Sequence, residues 1–247
     1  MQKIRWQDYF RHMKTYLTSL LFVIAIHPVG IAQSPDYKDL LTLFVSEKYE
    51  KCLDKAEGYT MGDETKKDPL PYMYMSRCFF EMSKKDEFKE KYPTAFKDAM
   101  KYLSKYASKD KEKKYLTEYE DFFTAIRHAA ISEAETMMDT QKYSKAKQIY
   151  DQLLDLDPND VGAKLMMALV FTYNKAKKES EMATAESKKM LTNKVGPLSK
   201  EQLYLLKDAL SRYCSDNKSQ AKEWLTLGDY YFPEDIEYRA MKESILN

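Results

Sequence analysis

Beyond residue 33, apolar side chains recur every three or four positions, and polar runs cut the pattern into segments of helical length. Ser34-Pro35-Asp36 reads as a helix start, with a capping serine and proline at the first helical position, and Leu40, Leu41, Leu43 and Phe44 follow. A partner helix opens at Lys48-Tyr49, carries Cys52, Leu53 and Ala56, and is expected to end near Gly58. After the polar loop "MGDETKKDP", helices are predicted over 71–83 and 93–107, on either side of the charged break "KKDEFKEK". A long helical run covers 113–139 and another 142–156, closed by the turn Asp157-Pro158-Asn159-Asp160. Helix resumes over 161–193. Ser199 and Gln202 then stand at capping-box spacing, with Leu198 and Leu203 spaced as a hydrophobic staple, opening a helix to Cys214. The last pair is predicted over 218–231 and 234–246, broken near Pro233. Little alternating Val/Ile/Thr pattern occurs anywhere, so the expected class is all-α.

Residues 17–26, "LTSLLFVIAI", are the one strongly apolar run, preceded by Lys3, Arg5, Arg11 and Lys14 and followed by Pro28, Gly30 and "IAQ". A basic segment, a short apolar core and small residues at a cleavage point describe a signal peptide, residues 1–32, with cleavage expected after Ala32. Ten apolar residues fall short of the roughly 20 that span a bilayer. Met13 begins a more compact version of the same signal, so Met1 and Met13 both stand as starts. The expected location is the periplasm, or outside the cell after cleavage. Removing residues 1–32 takes four of the 40 basic and one of the 39 acidic residues, leaving a net charge of −2. No whole-chain field then favours nucleic acid or acidic lipid, and contact with a membrane is expected to be peripheral at most.

Within this train of helical hairpins, Trp224, Leu227, Gly228 and Tyr231 stand at the first-helix spacing of the tetratricopeptide repeat (TPR), which the chain resembles. In that family a small residue on the second helix falls twelve positions after the glycine, here Ala240. Facing Gly228 and Ala240 would let two helices approach closely, and packing of Trp224, Leu227 and Tyr231 would offset the roughly 1 kcal/mol that a helical glycine costs. Residues 127–160 resemble the family most fully. Ala130 and Ala134 take first-helix positions and Met137 the aromatic slot, followed by Ala146, Tyr150, Leu153 and the terminating Pro158. The chain departs from the pattern at Glu133, where the family has leucine. Looser matches occur at Tyr49, Cys52 and Ala56, at Met75, Ser76 and Phe79, and at Ala95, Ala99 and Tyr102. Residues 161–220 depart from a strict period of about 34 residues. The resemblance implies a right-handed solenoid of TPR-like helical hairpins. Its parts are N-terminal hairpins over 33–126, the best repeat over 127–160, and C-terminal hairpins over 161–247 closing with a TPR-like pair at 221–247.

Candidate chemistry is sparse. His128 is the only histidine beyond residue 32 and stands in no triad spacing, so no catalytic residue is assigned. Three scattered cysteines and one histidine supply no metal site, and isolated glycines supply no phosphate loop, so no metal or cofactor is expected. Cys52, Cys78 and Cys214 read as buried small apolar residues, with a Cys52–Cys78 disulfide the alternative. Lysines at 175–178 and 188–189 alternate with Glu179, Glu181 and Glu186 and read as a solvated face. The resemblance implies a non-enzymatic protein-interaction module, a scaffold or assembly subunit of an envelope complex associated with the outer membrane, with protein partners and no nucleic acid. The alternative is a cell-surface ligand- or glycan-binding helical protein. The pattern leaves the partner-binding residues unassigned.

Overall fold

Each apolar stripe becomes a helix in the computed structural model, which describes residues 36–247. The signal segment and the helix start at Ser34-Pro35 lie outside the described residues. In chain order the helices are α1 (Lys38–Val45), α2 (Tyr49–Met61), α3 (Pro69–Ser83), the single turn α4 (Asp86–Lys89), α5 (Ala95–Lys109) and α6 (Glu120–Asp139). They continue with α7 (Tyr143–Leu156), α8 (Val161–Tyr173), α9 (Lys177–Thr192), α10 (Lys200–Asp216), α11 (Lys218–Gly228) and α12 (Ile236–Leu246). No strand occurs among the described residues, and the class is all-α. Some helices pack on their neighbours in sequence, as α2 with α3 and α6 with α7, and others on the helix after next: α3 packs on α5, α5 on α7, α8 on α10 and α10 on α12.

Two predicted boundaries are corrected, each for a local reason. The run expected to start at 113 becomes helical only at Glu120. Before it, the buried Asp110 carboxylate accepts the backbone N–H groups of Lys114 (2.9 Å) and Tyr115 (3.2 Å), holding that stretch in turns. The single helix expected over 161–193 is two helices. Lys175 adopts a left-handed conformation (φ 59°), the Ala176 N–H donates to Phe171 O and the Lys175 N–H to Thr172 O. That pairing is a Schellman motif, which ends a helix by satisfying its last carbonyls.

The same turn recurs. Glu47 after α1, Gln141 after α6 and Lys194 after α9 are also left-handed, and each is followed by the same pair of hydrogen bonds. Three of the four, at Glu47, Gln141 and Lys175, reverse the chain between contacting helices. Gln141 and Lys175 lie 34 residues apart. The backbone therefore repeats where the side chains do not, and none of the four turns uses the glycine that such a conformation favours.

Side chains from α8 are buried on nearly every side: Val161, Ala163, Leu165, Met166, Met167, Ala168, Leu169 and Val170 all belong to the core. Gly162 is what brings α10 against it. A methyl group on Gly162 would stand 2.6 Å from the Leu206 backbone nitrogen and 2.9 Å from the Leu205 carbonyl carbon, closer than any side chain tolerates. Helix α3 is double-faced. Tyr72, Met73 and Phe80 enter the large core that runs to the C-terminus, whereas Tyr74, Met75, Cys78 and Met82 enter a smaller core with α1 and α2. Cys52, Cys78 and Cys214 are free and buried, and the Cys52 thiol donates to the Leu40 carbonyl (3.5 Å).

The expected Gly228–Ala240 contact is not formed. Gly228 is the last residue of α11 rather than an interior one, and Ala240 is exposed. Opposite Gly228 stands Tyr238, whose hydroxyl would lie 2.2 Å from an added methyl. That hydroxyl donates to the Leu225 carbonyl at 2.6 Å, a bond that the bare glycine leaves room for. The need for a small residue was legible, but its partner is a tyrosine two positions earlier. Trp224 is fully buried, and Leu227 and Tyr231 are half-buried.

Two glycine substitutions should have opposite effects. Gly162→Ala is expected to destabilise by about 1–3 kcal/mol through overpacking of backbone on backbone. Gly58→Ala, within α2 and with open space around it, should stabilise by about 0.5–1 kcal/mol. Lys175→Gly should also stabilise, by about 1 kcal/mol, by relieving the left-handed turn. Denaturant midpoints of the three variants test these signs; a stabilised Gly162→Ala would refute the close approach.

Candidate functional site

The chain turn Asp157-Pro158-Asn159-Asp160 places two carboxylates at the start of α8. Asp160 is its N-cap, its side chain accepting the Ala163 N–H at 2.9 Å. The second Asp160 oxygen receives Arg127 of α6, 2.5 Å away, with the Asp160 side chain fully buried and that of Arg127 nearly so. Burial drives the Asp160 carboxyl above its usual range, against the pull of Arg127 and the Ala163 amide. Asp157 has the opposite balance. Burial opposes its charge, but Gln202 Nε2 (2.8 Å), the Asn159 N–H and Lys113 hold the carboxyl below its ordinary range. Gln202 also closes the capping box of α10, accepting from the Ser199 N–H at 2.9 Å while its own N–H donates to Ser199 Oγ at 3.3 Å. One side chain thus starts α10 and ties it to the end of α7.

These tethers bring α6 and α10 together although three helices separate them in sequence. Two hollows lie along their seam. The first, 320 Å³, is walled by Glu120, Thr124 and Arg127 of α6 and by Glu201 and Gln202 of α10, with Lys113 and Asp157 at one end. The second, 270 Å³, lies between His128, Ser132 and Glu135 of α6 and Lys200, Glu201 and Tyr204 of α10. Glu201 borders both, so the two lie side by side. Tyr204 is 54% exposed on their edge. Further along, Arg212 donates from Nε to both Asp208 oxygens (2.9 and 3.0 Å) and from a terminal nitrogen to Asp139 (3.0 Å), clamping α10 to α6. Burial raises the Glu135 carboxyl, against the Tyr204 hydroxyl, and raises that of Asp208, against Arg212. Beneath them the Tyr150 hydroxyl is buried and has no hydrogen-bond partner among the described residues.

Of the repeat positions, Ala130, Ala134, Ala146, Tyr150 and Leu153 are fully buried where α6 meets α7 and the helices beyond. Met137 is half-buried and its neighbour Met138 takes the core place, while Pro158 is exposed in the turn. None of these side chains lines the seam. His128 does, as an exposed residue. Glu201 and Tyr204 carry no signature in the sequence, because their importance comes from a contact between distant helices. Among the described residues no group of three or more His, Cys, Asp or Glu side chains is placed to hold a metal, and no helix is long and apolar enough to cross a membrane. Comparison of the chain with family models, curated proteins and solved structures finds no match in any of the three.

The buried pair and the raised carboxylates give two expected outcomes. Arg127→Met strands a buried carboxylate and should cost about 3–5 kcal/mol, whereas Arg127→Met combined with Asp160→Asn should cost far less, as measured by denaturant unfolding. A carboxyl whose pKa is raised in the fold binds its proton more tightly there than in the unfolded chain. Its contribution to stability therefore falls as pH rises above the unfolded value of about 4.3, through the folded one. Glu135→Gln should accordingly be more stable than the wild type at pH 7, and the difference should vanish near pH 4.

Proposed function

We propose that the chain is an exported, non-enzymatic protein-interaction module of tetratricopeptide type, a right-handed array of hairpins. It serves as a scaffold or assembly subunit of an envelope complex associated with the outer membrane, and its partner lies along the α6–α10 seam. The observation that carries the docking face is the pair of adjacent hollows that share Glu201, with an exposed tyrosine at the edge of the second. A tyrosine offers apolar area and one polar handle at low entropic cost, and such residues are common anchors of protein interfaces. The spacing of 34 residues between the left-handed turns at Gln141 and Lys175 supports the repeat reading. The apolar run at 17–26 behind four basic residues supports export. The glycan-binding alternative gains no stacking platform from Trp224, the only tryptophan beyond residue 32, because its ring is fully buried.

The reading is tested by mild crosslinking of the tagged protein in native membranes, followed by purification and identification of what it holds. A discrete partner is expected, and the double variant Tyr204→Ala/Glu201→Lys should lose it by about 30-fold or more, in line with an interface anchor worth about 2 kcal/mol. Capture of nothing above background, or equal capture by the variant, would refute the proposal.

A further inference from the structure

Along α5, Lys97, Lys101, Lys105 and Lys109 follow at four-residue steps, and all four are exposed. At 1.5 Å per residue they form a row about 18 Å long, each ammonium turned about 40° from the last. Among the described residues none of the four reaches a carboxylate to form an ion pair. Lys111 and Lys114 extend the row past the helix end. Residues 95–114 together hold seven lysines against three acids, in a chain whose charges otherwise nearly cancel.

Like charges four residues apart repel and weaken a helix. On α9 and its neighbours several lysines meet acids: Lys177 with Glu181, Lys164 with Glu186, Lys188 with Glu223. On α5 aromatic rings lie beneath three of the four row lysines instead. Lys101 and Lys105 stand 5.3 and 4.9 Å from the centre of the Tyr102 ring, and Lys109 lies 5.8 Å from that of Tyr72. A ring holds an ammonium without cancelling its charge. The row is thus kept in place and left cationic.

We infer that this face of α5 lies against an anionic lipid surface, its lysines meeting phosphodiester headgroups. The side-chain chemistry selects that partner over other polyanions. The row contains no arginine, whose planar fork is the better match for the carboxylates of an acidic protein, whereas lysine acts as a point charge. Tyr102 stacks on Phe79 (5.6 Å between centres, 7° between planes), so its ring is engaged and not free to receive a nucleobase. A single exposed helix face, about 18 Å long, suits a broad charged plane. The inference is independent of the α6–α10 docking reading.

The test is flotation of the full chain with vesicles of phosphatidylglycerol in phosphatidylcholine, or of phosphatidylcholine alone. The variant Lys101→Gln/Lys105→Gln/Lys109→Gln is compared with a control that loses equal charge on α9, Lys177→Gln/Lys178→Gln/Lys189→Gln. Residues 17–26 are common to all these proteins, so any apolar contribution they make cancels. Expected is a preference for phosphatidylglycerol that weakens with salt, reduced about 100-fold in the α5 variant at roughly fivefold per lysine, and little changed in the α9 control. Equal loss in both variants, no loss in the α5 variant, no preference for phosphatidylglycerol, or tighter binding to duplex DNA at matched phosphate would each overturn it. Melting temperatures at or above the wild-type value show that the variants are folded.

Discussion

The contact on which most of the architecture turns is backbone against backbone, where Gly162 at the start of α8 meets Leu205 and Leu206 of α10. A side chain there would push the helices apart by more than a packed interior absorbs. Close approach lets α8 present apolar residues on nearly every side, because α7, α9 and α10 surround it. It also sets where α10 begins, within reach of Asp157, and so brings α10 beside α6 across the intervening helices. The buried Arg127–Asp160 pair belongs to the same corner. The first turn of α8 has amides that need an acceptor, Asp160 supplies it, and the enclosed carboxylate then needs a cation. Local capping and distant packing meet in one residue.

How much of this was legible in the sequence depends on the distance over which each feature is decided. Ser199 and Gln202 announced their capping box, and the structure forms both of its bonds, because the whole device lies within four residues. The break at Lys175 was not visible, since no glycine or proline marks it and the turn is enforced by the packing of the two helices it joins. The spacing of small residues marks the tight approach at Gly228 but points to Ala240 as its partner, where the structure has Tyr238. A motif gives the spacing of small residues on an ideal hairpin, whereas α11 ends at Gly228 and the chain re-enters at Asp235 in another phase. The seam was illegible for a different reason: Glu201, Tyr204 and Arg212 acquire meaning only when α6 arrives beside them.

Charge is distributed with the same economy. Along the seam, acids and bases are held in short, shared hydrogen bonds, and where burial exceeds pairing it is the carboxylates Glu135 and Asp208 that resist ionisation. On α5 the arrangement is the reverse, with cations left in water over aromatic rings. Near-neutrality of the whole chain conceals both, which is why a net charge says little about where a protein of this kind makes contact.

The double-faced burial of α3 bears on how the molecule comes apart. Hydrophobic clusters as small as the one around Leu40, Cys52 and Tyr74 would ordinarily fray on their own, well below the global unfolding energy. Here the helix that closes that cluster also closes the larger one, through Met73 and Phe80. Peeling α1 and α2 away uncovers one flank of a rod whose opposite flank is still embedded. The amides at the middle of α3 therefore stay sheltered from solvent exchange by the larger cluster even when the N-terminal hairpin opens.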